Sequence, residues 1–145
     1  MSSRINYMKA SPEAIKAMME LERFINQCGL EKTLLNLVKL RASQINGCSY
    51  CVDLHSSEAR KEGESERRLS AVVAWQETSF FSERERAALA WTEAVTLLVK
   101  THAPDDLYQE LTQHFSEKEV VDLTVAIATI NAWNRIAVSF RSSPR

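Results

Sequence analysis

The chain has 145 residues, 45% of them hydrophobic and 26% charged, with 18 Lys and Arg against 19 Asp and Glu for a formal charge of −1. That length gives about one domain with a single buried core, and the near-balance of charge argues against a nucleic-acid-binding domain, which carries a basic excess. No apolar run approaches the roughly 18 residues of a membrane span, and the first residues lack the apolar stretch of a secretion signal, so a cytoplasmic protein without nucleic-acid or membrane partners is expected.

Three Gly and three Pro are few against the roughly ten and seven of average usage, which points to long helices. No repeat, low-complexity tract or Gly/Ser/Pro-rich linker divides the sequence, so residues 1–145 read as one domain. Ser11, Pro12 and Glu13 supply an N-cap, a first-turn proline and a first-turn carboxylate for a helix closed by Gly29. Its apolar positions are Ala14, Met18, Leu21, Ile25 and Cys28. A second helix spans about Glu31 to Asn46, with Leu34, Val38, Ala42 and Ile45 on one face, and stops at Gly47. The segment from Cys48 to about Glu62 ends at Gly63, and a shorter helix follows near Ser65–Trp75. Ser82 and Glu85 form a capping box for a helix through Ala87, Trp91, Ala94, Val95 and Leu98. Pro104, Asp105 and Asp106 start a short helix ending near Phe115. A second capping box, Ser116 with Glu119, opens the last helix, which runs to about Phe140. No period-2 alternation competes. The expected fold is all-α, with about seven helices.

The last helix is apolar almost all round, the mark of a buried helix, yet Thr124, Asn131, Asn134 and Arg135 interrupt it. Buried polar groups need partners. Neighbouring helices or a subunit contact are the first expectation, and a bordering site is the second.

The odd count of three cysteines does not read as a disulfide scaffold and suggests redox or metal chemistry. Cys48, Cys51 and His55 form a C-x2-C-x3-H motif. With Gly47 ending one helix and Cys48 starting the next, both thiols lie at the positive end of a helix dipole, which favours thiolate. Residues three apart on a helix are neighbours, close enough to bridge after small adjustment. His55, one turn beyond Cys51, can take or return its proton. The spacing fits hydroperoxide reduction: a thiolate attacks the O–O bond to give a sulfenic acid, the second thiol condenses to a disulfide, and an external dithiol restores the pair. Other readings compete. A zinc site would have Cys2His with water or an unidentified fourth ligand, since His102 and His114 are isolated. Covalent haem attachment needs His where Val52 stands. Thioredoxin-like exchange usually accompanies a βαβ pattern, which is absent. Two inert buried thiols are disfavoured by the polar Ser49, Tyr50 and Asp53. The residues alone leave the attacking cysteine open: the helix start favours Cys48, and proximity to His55 favours Cys51.

The run from Leu40 to His55 (LRASQINGCSYCVDLH) resembles the alkyl hydroperoxidase D (AhpD-like) family of the carboxymuconolactone decarboxylase superfamily, as do Phe81 to Trp91 (FSERERAALAW) and Asn131 to Arg135 (NAWNR). The resemblance implies an all-α fold, a homo-oligomer (commonly a trimer or hexamer), and peroxide reduction by the CxxC pair without a cofactor or resident metal. It also implies a lipoyl-bearing or thioredoxin-like dithiol protein as reductant. By the same resemblance Cys51 corresponds to the peroxidatic cysteine, Cys48 to its disulfide partner and His55 to the proton-relay histidine. A protein disulfide reductase or a non-catalytic redox sensor is the alternative. Decarboxylation of a lactone ranks lower because that chemistry does not require a CxxC pair.

Asn36 and Tyr50 depart from the family pattern. Asn36 stands where the family has a glutamate completing the relay, and an amide can orient an imidazole but cannot carry a proton as a carboxylate does. Tyr50 stands where some members carry a second histidine. Glu58 could substitute locally, although a solvated helix face is its simpler reading. Cys28 reads as a buried structural thiol, His102 and His114 as helix-end residues, the three tryptophans as packing or interface residues, and Glu62 to Arg68 as an exposed turn and helix start. On this reading the relay is incomplete and peroxide turnover is slow, or the natural oxidant is not a simple peroxide. Asn36→Glu should then accelerate turnover, and an unchanged rate across the pH profile would remove the explanation.

Overall fold

A computed structural model describes residues 2–144, and all regular structure among them is helical. In chain order the elements are α1 (Tyr7–Ala10), α2 (Pro12–Gln27), α3 (Lys32–Ile45), α4 (Ser49–Lys61), α5 (Glu66–Ala71), a 3₁₀ turn (Val72–Glu77), α6 (Glu83–Thr96), α7 (Leu98–Thr101), α8 (Asp105–Thr112) and α9 (Glu117–Ser139). No helix among the described residues is long and apolar enough to cross a membrane.

The seven expected helices are present, the structure adds two short ones, α1 and α7, and the remaining differences lie at helix ends. Both capping boxes form, with the Ser82 and Ser116 hydroxyls accepting from the amides of Glu85 and Glu119 and each glutamate returning a bond to the cap amide. Gly47 adopts φ +65°, the left-handed turn that separates α3 from α4. The helix expected near Ser65–Trp75 passes into 3₁₀ geometry at Val72. The helix expected through Leu98 ends at Thr96, where Leu97 leaves helical geometry, and the Thr101 hydroxyl donates to the Ala94 carbonyl at 2.6 Å. His102 caps α7 in a left-handed conformation. Nε2 of His114, just beyond α8, lies 3.2 Å from Glu110.

The centre of the fold is α3, buried at every position from Leu34 to Leu40. One side packs with Ile25, Ala88, Leu111, Leu123 and Ile127 in the larger core cluster. The other side, through Leu37 and Leu40, packs with Ala59, Leu69, Val72 and Leu89. Each fully buried Leu or Ile contributes about 1.5–3 kcal/mol. The inward face of α2 differs from the expected one. Ala14 and Leu21 are exposed, whereas Ile15, Met18, Glu22 and Ile25 turn inward. A charged residue inside an apolar stripe has a cause in space: Glu22 meets Lys39 of α3 and Trp133 of α9.

Partners from within the chain satisfy the polar positions of α9. Asn46 Nδ2 donates to Asn131 Oδ1 and Asn134 Oδ1, each at 2.9 Å. Asn134 Nδ2 donates to the Ser43 hydroxyl at 3.0 Å, and Asn131 Nδ2 to the Thr96 hydroxyl at 3.0 Å. Thr124 accepts from Trp91 Nε1 at 3.0 Å. Arg135 donates to Asn131 Oδ1 at 2.9 Å.

The charged run near Gly63 is more tightly tied than an exposed turn. Arg68 pairs with Glu64 at 2.8 Å and Glu85 at 2.5 Å and donates to the Phe80 carbonyl at 2.7 Å. A second junction is built on Arg84, which pairs with Glu31 at 2.8 Å and Glu119 at 2.7 Å and stacks over Phe115. Hydrogen bonds from Arg84 hold both carboxyls below their usual range.

Two outcomes are expected. Asn134→Ala removes the partner of Ser43 and one of the acceptors of Asn46 in a buried setting and should lower unfolding free energy by about 2–4 kcal/mol in denaturant titrations. Because the folded carboxyls of Glu31 and Glu119 titrate below 4.5, their stabilisation is complete above that pH and is lost as pH falls through the folded values. Arg84→Met should therefore flatten the fall in melting temperature below pH 4.5, at a cost near neutrality of only about 1 kcal/mol because the pairs are partly exposed.

Candidate active site

The reactive pair stands at the corner between α3 and α4. The Cys48 amide donates to the Ser43 carbonyl at 3.0 Å, ending α3. Cys48 is the N-cap of α4 in extended geometry, and its sulfur accepts from the Cys51 amide at 3.2 Å. Helix N-termini present unpaired N–H groups and a positive dipole end, so both sulfurs sit where negative charge on sulfur is favoured. The structure holds the two cysteines as a disulfide with Cα atoms 5.3 Å apart. Both are buried, packed with Tyr50 and Ala137.

Beside the pair lies a cleft of about 650 Å³ bounded by α1, α2, α3, α4 and the end of α9. Cys51, His55, Tyr50, Asn36 and Glu58 line it. Its apolar walls come from Ile15, Met19, Leu35, Leu54 and Trp133. Cys51 borders the cleft, whereas Cys48 is not among its lining residues.

His55 is 8% exposed, and its Nδ1 lies 3.3 Å from Glu58 Oε2. The Glu58 carboxyl is held below its usual range, first by this hydrogen bond and further by the charges of Lys39 and Lys61, against the opposing effect of burial. Glu58 is thus more than a solvated helix face: its side chain is 47% exposed and still reaches the imidazole. Asn36 lines the cleft but makes no side-chain hydrogen bond among the described residues, so the expected orienting contact to His55 is not formed. Tyr50 lies in the wall next to Cys51.

Sequence reasoning missed a buried ion pair in the same cleft. The Lys39 ammonium, with its side chain only 8% exposed, donates to Glu22 at 3.3 Å. Trp133 Nε1 donates to the other Glu22 oxygen at 3.0 Å. No local signal exposes this cluster, because its members come from three helices; the one hint is a glutamate within the inward face of α2. Trp133, expected only to pack, borders the cleft, while Trp75 and Trp91 are buried and donate to Glu93 and Thr124. Cys28 is only partly buried, and its thiol donates to the Ile25 carbonyl at 3.1 Å. Among the described residues no group of three or more His, Cys, Asp or Glu side chains is placed to hold a metal ion while Cys48 and Cys51 are joined as a disulfide.

The profile of the carboxymuconolactone decarboxylase family matches residues 12–94. ATU0492 from Agrobacterium tumefaciens, a protein of unknown function described as a candidate AhpD antioxidant-defence protein, superposes with a TM-score of 0.97 at 51% identity over 99% of each chain. The uncharacterized protein YdfG of Bacillus subtilis (strain 168) is 42% identical over 139 residues, 96% of this chain and 95% of its own. A shorter match joins the chain to the alkyl hydroperoxide reductase AhpD of Hyphomonas neptunium (strain ATCC 15444), 39% identical over 49 residues, which is 34% of this chain and 27% of that protein. The chain belongs to the carboxymuconolactone decarboxylase family and is AhpD-like within it.

Proposed function

We propose that the protein is a thiol-dependent reductase of organic hydroperoxides, with Cys51 as attacking thiolate, Cys48 as resolving thiol and His55 as proton carrier. The observation that carries this reading is the asymmetry of the pair: Cys51 borders the cleft with His55, and Cys48 lies behind it at the helix cap, already within bonding reach. The mostly apolar walls favour an organic peroxide over hydrogen peroxide as substrate.

In the first step the Cys51 thiolate attacks the terminal peroxide oxygen. An S–O bond forms, the O–O bond breaks, and the leaving alkoxide takes a proton from the His55 imidazolium to depart as an alcohol. Cys51 is then a sulfenic acid. The Cys48 sulfur attacks it, forming the disulfide and releasing water. The structure holds the chain at this oxidised stage. An external dithiol, carried by a lipoyl-bearing or thioredoxin-like protein, returns the pair to thiols through a mixed disulfide and is itself oxidised. The family likeness supports this donor class and a homo-oligomeric assembly as parts of the same reading.

Intact mass after one equivalent of cumene hydroperoxide tests the assignment. The reduced wild type should lose two hydrogens, Cys48→Ser should yield a dimedone-trappable sulfenic acid on Cys51, and Cys51→Ser should lose the reaction. Sulfenic acid forming on Cys48 in Cys51→Ser at the wild-type rate would reverse the roles. A fully reduced wild type that does not react would direct the pair to disulfide exchange or sensing instead.

A further inference from the structure

Within the site just proposed, the one side-chain hydrogen-bond partner of the buried imidazole among the described residues lies outside the CxxC and histidine motif. The Nδ1 contact of His55 is Glu58, three positions along α4. The position that would supply a carboxylate from α3 is Asn36, which makes no side-chain hydrogen bond among the described residues. Glu58 also faces Lys39 of α3 and Lys61 of its own helix, cations that favour its ionised form. An ionised carboxylate only accepts hydrogen bonds. A hydrogen bond at this contact therefore takes its proton from Nδ1.

We propose that Glu58 is the positioning carboxylate of the Cys51–His55 pair: by accepting from Nδ1–H it fixes the imidazole tautomer and leaves Nε2 to take and return the proton of the reacting thiol. The hydrogen bond made by one ring nitrogen decides which state the other presents. A negative charge at this contact also stabilises the imidazolium formed when the thiol ionises. The carboxylate of the relay thus comes from the helix that already carries the cysteines and the histidine, which removes the incompleteness inferred from Asn36. The role rests on the peroxidase reading for its chemistry, but its geometric core, the tautomer, can be read without any peroxide.

The experiment is ¹⁵N NMR of the His55 ring at pH 7 in the reduced protein, with the rate of Cys51 alkylation by iodoacetamide measured in the Cys48→Ser background. The wild type should show the Nδ1–H tautomer. Glu58→Ala, at a half-exposed position that folding tolerates, should lose that tautomer and slow alkylation about tenfold. Asn36→Glu with Glu58 intact, in the same Cys48→Ser background, should leave the alkylation rate within about twofold, because the relay already has its carboxylate. A wild-type Nε2–H tautomer, an unchanged tautomer in Glu58→Ala, or an acceleration of about tenfold in Asn36→Glu would each overturn the role of Glu58. Absence of peroxide reactivity in the wild type would fell the peroxidase reading alone, since neither the tautomer nor the alkylation rate depends on it.

Discussion

The position of the cysteine pair depends on one buried seam of amides and hydroxyls between α3 and α9. Asn46 caps α3 immediately before the Gly47 turn, and its side chain is gripped by Asn131 and Asn134. Asn134 reaches back to Ser43, whose carbonyl accepts from the Cys48 amide. The corner carrying Cys48 is therefore fixed by directional bonds to the longest helix, not by apolar contact alone. Such bonds add only about 1 kcal/mol each in net terms but cost more when one partner is left alone. A seam of several behaves as a unit that is either complete or strained. Apolar packing tolerates small slides, whereas the bridging geometry of two sulfurs does not, and the seam supplies the register that packing leaves loose.

The same logic explains the charges in the cleft. An ammonium as buried as that of Lys39 requires a counter-charge, which Glu22 supplies, and the Trp133 indole satisfies the second oxygen of that carboxylate. The pair ties α2 and α9 to the central helix where they form the cleft walls. It also places a fixed positive charge close enough to Glu58 to favour its ionised form. A feature that first looks like a packing irregularity, a glutamate on the inward face of α2, thus both frames the cavity and biases the group next to the histidine.

Much of this was legible in the sequence, and what was legible is local. Ser82 with Glu85 and Ser116 with Glu119 announce helix starts through bonds that span three residues, and the glycine after α3 marks its end through backbone geometry alone. Cys48 caps α4 and Cys51 lies in its first turn, so the spacing already carried the proximity of the two sulfurs. The apolar face of α2 was misplaced because Ala14 and Leu21 match the helical period as well as Ile15 does, and the decision falls to Glu22, whose partners Lys39 and Trp133 are 17 and 111 residues away. Thr96 ends α6 sooner than its apolar period suggests. Glu58 was visible but read as solvated, since nothing in a linear sequence shows whether a half-exposed carboxylate also turns toward an imidazole.

Placing the Cys51 sulfur, the imidazole and the carboxylate on α4 has a mechanical consequence. When a relay draws its carboxylate from one helix and its histidine from another, their distance depends on how the helices pack, and sub-ångström shifts alter proton transfer. Here Cys51, His55 and Glu58 are held by the hydrogen-bonded backbone of a single 13-residue helix, the most rigid frame available over that span. The rest of the cleft wall is drawn from α1, α2, α3 and α9. Glu58 is half exposed at the rim, so the acceptor that faces the imidazole also keeps contact with water. An interior carboxylate at position 36 would gain a stronger field from burial but would surrender that contact with water. The groups proposed for the chemistry therefore keep their mutual geometry through one helical backbone, independent of the packing of the helices that shape the cleft.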